Sequence, residues 1–198
     1  MLHLASKSPR RRELLALLGH DFGILDLDLP ETPGPSESPD DYVRRVAREK
    51  AGAGLLQVVG QPSAVVLGAD TEVVLDGRIY GKPADADEAA EMLRSLSGRT
   101  HAVISAVSVV DAGRELQAVS VSEVRFASLG EDDIADYLAT GEWAGKAGAY
   151  GIQGRAQVFI AHLSGSYSGV MGLPLHETAG LLRGIGLAPA RHAAEAAR

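Results

Sequence analysis

The sequence predicts an α/β fold, on three observations. Short apolar runs alternate along the chain with segments whose apolar residues recur at helical spacing. Two long strand-like runs adjoin in "THAVISAVSVVDAGRELQAVSVSEVRFA", which predicts an antiparallel pair. At 198 residues and 45% hydrophobic content, the chain can bury the core of one domain, or of one domain in two lobes.

The first strand is expected in "HLA". A helix follows from Ser8, with Ser8 as N-cap, Pro9 at the first helical position, and Leu14, Leu15 and Leu18 as its apolar stripe. Its first turn carries Arg10, Arg11 and Arg12, although a helix N-terminus is electropositive and normally attracts acidic side chains. Three arginines there form either a solvated basic patch or, with the free N–H groups, a polyanion site. "FGILDL" reads as a strand, "PETPGPSESP" as a mobile loop, and "SESPDDYVRRVAREKAG" as a second helix.

"SAVVLGADTEVVLDGRIYG" is a hairpin turning at Asp76-Gly77. Counting back from that turn places Lys82 opposite Thr71. Strict alternation would then send Lys82 and Asp70 to opposite faces, so bringing them together requires a break at Gly68 or Gly81. Beyond lie a helix in "DADEAAEMLRSL", the long strand pair, a short helix in "GEDDIADYLATG" and a glycine-rich stretch, "GEWAGKAGAYGIQG". The order closes with a strand-like "QVFIAHL", a loop "SGSYSGVMGLP" and a helix in "HETAGLLRGIG". One domain is expected over residues 1–187, followed by a loosely packed tail at 188–198.

Charge and composition narrow the function. A net charge of −7 and a pI near 5.3 argue against coating nucleic acid and make any anion site a local pocket for a small polyanion. The chain has no cysteine, hence no disulfide and no thiolate ligand or nucleophile. No apolar run approaches a membrane span, and the basic residues follow the first apolar stretch, the reverse of a signal peptide. A soluble, cytoplasmic protein without membrane or nucleic-acid partners is expected. A P-loop, a GxGxxG fingerprint and HExxH are all missing, and "GSYSG" has Tyr167 where a nucleophile elbow needs serine. His101, His162 and His176 are isolated and read as structural or exposed; Trp143 reads as packing.

Several side chains remain that can carry chemistry. Asp70 lies between two apolar β-type runs, where an unpaired charge is costly, so it needs a lysine or a metal. Lys50 falls on the apolar stripe of Val43, Val46 and Ala47, either snorkelling or reaching a phosphate in a cleft. Glu31 in the Pro-rich loop reads as a solvated carboxylate. Gln153 sits among glycines, either as a surface amide or as a group matched to the imide edge of uracil or thymine.

In their order along the chain, "LASKSPRRRELL", "YVRRVAREKA", "LGADTEVVLDGRIYGKP", "LSGRTHAV" and "KAGAYGIQG" with "GSYSGVMGLPLHET" resemble the signatures of the Maf-type nucleoside triphosphate pyrophosphatases. The resemblance implies a two-lobed, inosine triphosphatase-like α/β fold: a mixed, curved sheet flanked by helices around a central nucleotide cleft. It implies Asp70 as the catalytic proton acceptor, and Ser8, Arg10, Arg11, Lys50 and Lys82 around the triphosphate, with Ser6 as a further hydroxyl. Glu31 and Asp70 are implied at a divalent cation, Mg²⁺ or Mn²⁺, and Arg11, Thr71 and Gln153 at substrate choice. "GAYGIQG" is similar to the branch acting on dTTP and UTP rather than on 7-methyl-GTP. The implied reaction is attack of water on the α-phosphorus, releasing pyrophosphate and a nucleoside monophosphate. A homodimer is also implied. A pyrophosphatase for other modified nucleotides and a noncatalytic nucleotide sensor are the competing readings.

Overall fold

The structure is a computed structural model that describes residues 1–187; the tail expected at 188–198 lies outside the described residues. A seven-stranded mixed sheet has the order β2-β1-β3-β5-β6-β7, with β4 also paired to β3. The strands are β1 (Leu2–Leu4), β2 (Phe22–Ile24), β3 (Val65–Leu75), β4 (Arg78–Tyr80), β5 (Thr100–Val110), β6 (Glu115–Phe126) and β7 (Ile160–Ser164). β2, β1 and β3 run parallel, and the remaining pairs are antiparallel. The expected long pair is β5 and β6, in register from Thr100↔Arg125 to Val110↔Glu115.

Helices cover both faces: α1 (Pro9–Ala16), α2 (Pro39–Gln57), α3 (Ala86–Leu96), α4 (Glu131–Ala139), α5 (Tyr167–Met171) and α6 (Leu175–Gly184). Ser8 caps α1 as expected, accepting from the Arg11 N–H, and Ser38 caps α2 in the same way. On one face α2 buries Tyr42, Val43, Val46 and Ala47 against Val74, Ile104 and Ala106. It lies very close to β3: a Cβ on Gly68 would stand 2.3 Å from the Ala47 carbonyl oxygen and 2.5 Å from the Ala51 nitrogen.

The opposite face carries two separate cores. Val73, Leu75 and Val103 pack with α3 and α4, whereas Leu67, Ala69, Val107 and Val109 pack with α1 and α6. Between them Thr71 and Ser105, register partners on β3 and β5, meet through their hydroxyls at 2.8 Å. This polar seam separates the lobes, because side chains two apart on a strand share a face and the pair interrupts an otherwise apolar row.

Two expectations are corrected. "SGSYSGVMGLP" is not an open loop: Ser166 accepts from the Gly169 N–H and starts the short helix α5. "QVFIAHL" is only half a strand; Arg155–Phe159 forms a 3₁₀ turn before β7.

Candidate active site

The site exists because one edge of β3 changes partners. β1 pairs with Val65 to Leu67 and β4 with Val73 to Leu75, so among the described residues Gly68 to Glu72 have no strand neighbour on that side. A cleft of about 520 Å³ opens there, at the carboxyl end of β1 and in front of the α1 N-terminus. Such a switch point in an α/β sheet is where ligands characteristically bind.

One wall of the cleft is basic. Ser8, Arg10 and Arg11 line it, and Arg12 is exposed outside it. No acidic residue occupies the first turn of α1, so apart from the neutral Ser8 cap its dipole meets positive side chains and no negative one. Arg11 donates from Nε to the Gly172 carbonyl at 2.8 Å and, at 3.4 Å each, to Ser6 Oγ and Thr71 Oγ1. It thereby ties the β1–α1 loop, β3 and α5 across the seam. All its partners are neutral.

Lys146, which the sequence reading passed over, also lines the cleft and donates to the Glu142 carbonyl. Among the described residues, neither Arg10, Arg11 nor Lys146 pairs with a carboxylate. Burial, then the like charge of Arg11, lowers the Arg10 pKa; burial, then Arg10, lowers that of Lys146. Both shifts report cations held partly out of water and, secondarily, beside like charge, a cost that an anion in the cleft would offset.

The opposite wall is a network of acids and lysines. Lys50, buried on α2, donates to Asp70 Oδ1 at 2.9 Å and pairs with Glu31 Oε1 at 2.7 Å. Lys82 reaches Glu31 Oε2 at 3.3 Å. The lysine that meets Asp70 is therefore Lys50 rather than Lys82. The hairpin keeps the counted register, Leu75↔Arg78 to Val73↔Tyr80, but β4 ends at Tyr80, and the chain leaves the ladder at Gly81 before Lys82. Glu31 lies on an exposed stretch of chain, but its carboxylate is not simply solvated: the side chain is 29% exposed and turned to the lysines. Burial raises its pKa, but hydrogen bonding and charge from Lys50, then Lys82, outweigh this and hold it below the usual carboxylate value.

A second residue missed in the sequence is Glu72, on the same face of β3 as Asp70. It is 8% exposed and lines the cleft, and burial followed by the Asp70 charge pushes its carboxyl up to about 8. Asp70 Oδ2 and Glu72 Oε2 are buried without hydrogen-bond partners among the described residues. Among the described residues, no group of three or more His, Asp or Glu side chains forms a metal cage. The two orphaned oxygens nonetheless fit a hard divalent cation, since Mg²⁺ commonly takes one or two carboxylates and completes its shell with substrate and water.

Of the expected specificity residues, the cleft holds Arg11 and Thr71. Gln153 is exposed in the turn before the 3₁₀ segment, outside the cleft lining, and its carbonyl accepts from the Gln157 amide at 2.9 Å. Of the histidines, His101 is buried against Phe126 and bonded to the Tyr150 hydroxyl at 2.8 Å; His162 and His176 are exposed. Trp143 packs against the core and donates to the Leu138 carbonyl. No described helix is long and apolar enough to cross a membrane.

A family model described as "Maf-like protein" matches residues 1–185. The chain is 60% identical over 188 residues to a protein of Xanthomonas euvesicatoria pv. vesicatoria named dTTP/UTP pyrophosphatase, covering 94% of this chain and 99% of the relative. It is 57% identical over 196 residues to a protein of Methylococcus capsulatus with the same name, covering 99% and 96%. Among solved structures, the Staphylococcus aureus Ham1 protein is similar at a TM-score of 0.45 and 14% identity, over 64% of this chain and 71% of that one.

Proposed function

The chain belongs to the Maf-like protein family, and on that premise we propose that it is a nucleoside triphosphate pyrophosphatase that hydrolyses dTTP and UTP to the monophosphate and pyrophosphate. One observation supports this chemistry above all: three cations that pair with no carboxylate among the described residues and a helix N-terminus line the same cleft as a buried carboxylate with an oxygen those residues leave unpaired. Phosphoryl transfer depends chiefly on positioning and on neutralising charge, which such a cleft supplies.

In this reading Ser8, the α1 N–H groups, Arg10 and Arg11 grip the phosphates, joined by Lys146. Arg11 and Thr71 fix the substrate at the seam between the lobes, with Gln153 the family's third specificity position. Asp70 is the catalytic carboxylate: Lys50 holds Oδ1 and thereby its orientation, which leaves Oδ2 to face the attacking water and the cation beside it. Lys50 and Lys82, bridged by Glu31, form the cationic edge beside it. A Mg²⁺ or Mn²⁺ ion, for which the family resemblance assigns Asp70 and Glu31, would neutralise phosphate charge there. A cytoplasmic, homodimeric enzyme is the form expected of it.

The test is to incubate the purified chain with dTTP and Mg²⁺ or Mn²⁺ and to quantify dTMP, pyrophosphate and orthophosphate, with UTP and 7-methyl-GTP in parallel. Equimolar dTMP and pyrophosphate are expected. Orthophosphate with dTDP would overturn α–β cleavage, and faster turnover of 7-methyl-GTP would overturn the pyrimidine preference.

A further inference from the structure

We propose that Glu72, rather than Glu31, is the carboxylate that joins Asp70 in seating a divalent cation in the cleft. The proposal rests on the pyrophosphatase reading and names the residues of its cation site.

Both oxygens of Glu31 are already engaged, Oε1 by Lys50 at 2.7 Å and Oε2 by Lys82 at 3.3 Å. Turning either toward a cation would break an ion pair and leave a lysine beside the incoming positive charge. Glu72 is in the opposite situation. Among the described residues its carboxylate makes no hydrogen bond and no ion pair, with Oε2 buried, yet the residue is only 8% exposed and lines the cleft. An unpartnered buried carboxylate is costly, so its retention at this position calls for a partner that the chain itself does not provide.

Geometry places that partner beside Asp70. The two residues are separated by one position on β3, so their side chains leave the same face about 6–7 Å apart at the backbone. Each presents one orphaned oxygen, Asp70 Oδ2 and Glu72 Oε2, while Asp70 Oδ1 stays with Lys50. The edge of β3 at this point has no strand neighbour, which leaves the cleft side open for water and phosphate oxygens. Two carboxylates plus substrate and water suit Mg²⁺ or Mn²⁺, and three protein ligands are not required.

The experiment measures Mn²⁺ binding to the nucleotide-free full chain by loss of the free-ion electron paramagnetic resonance signal, for wild type, Asp70→Asn, Glu72→Gln and Glu31→Gln. Circular dichroism melts establish that each variant is folded. Asp70→Asn and Glu72→Gln are each expected to weaken Mn²⁺ by about tenfold or more, the scale on which even outer-shell partners act, and Glu31→Gln to weaken it less. Wild-type affinity in folded Glu72→Gln, a larger loss in Glu31→Gln than in Glu72→Gln, or no Mn²⁺ binding by wild type would each overturn the proposal. Because the signal reports the ion and not turnover, inactivity toward dTTP would defeat the pyrophosphatase reading while leaving the cation seat standing.

Discussion

Gly68→Ala places a methyl group where the backbone of α2 already stands. The new Cβ would lie 2.3 Å from the Ala47 carbonyl oxygen and 2.5 Å from the Ala51 nitrogen, both main-chain atoms that no rotamer change can move. To restore van der Waals separation, α2 must withdraw by about 1 Å. Overpacking of this kind costs about 1–3 kcal/mol. Lys50 lies between the two clashing residues, so the same withdrawal draws its Nζ away from Asp70 Oδ1, now 2.9 Å distant. A misplacement of about 1 Å at a catalytic group lowers the rate by about a hundredfold. The control is Gly52→Ala in the same helix, where a Cβ meets nothing within 4 Å and helix propensity should add about 1 kcal/mol. Urea unfolding and kcat/KM for dTTP, measured on both variants, should move in opposite directions for stability and fall only for Gly68→Ala. Unchanged stability and turnover in Gly68→Ala would refute the account of how α2 positions the site.

Three further outcomes are expected. Asp70→Asn should lower kcat by about 10²–10⁴-fold with the circular dichroism spectrum preserved, and normal turnover would remove Asp70 from its role. Lys146→Met should weaken inhibition by pyrophosphate about tenfold, the scale of one charge-assisted hydrogen bond, and an unchanged inhibition constant would place Lys146 outside the phosphate site. His101 is held neutral by burial, its pKa depressed to about 4 in the folded chain. The unfolded chain, with an ordinary value of about 6.5, then binds the extra proton first, so stability is full above that pH and falls by about 2 kcal/mol on reaching pH 5. His101→Phe should flatten the melting-temperature profile between pH 7 and 5; a profile as steep as wild type would exclude His101 as its source.

The local parts of the site could be read from sequence because local rules build them. Ser8 and Pro9 mark the start of α1 within one turn of chain, and the missing acid there signals an anion site. Asp76-Gly77 sets the β3–β4 register, which the structure keeps to Tyr80. Glu72 was also within reach: a second acid two positions after Asp70 must share its face. Lys146 stood inside the quoted glycine-rich stretch, but its register against α1 is a matter of tertiary packing.

From sequence alone came the α/β class, most element positions and the segment containing Asp70, since capping, turn chemistry and hydrophobic periodicity act within a few residues. The tertiary structure decided which charges meet. Lys50 reaches Asp70 across twenty residues of sequence only because Gly68 lets α2 lie against β3. Glu31 joins them because the chain from Leu27 to Glu31 runs along the cleft before the Pro-rich loop turns away. Ion-pair partners follow from distances set by packing, and strand or helix periodicity specifies only the face from which each side chain departs.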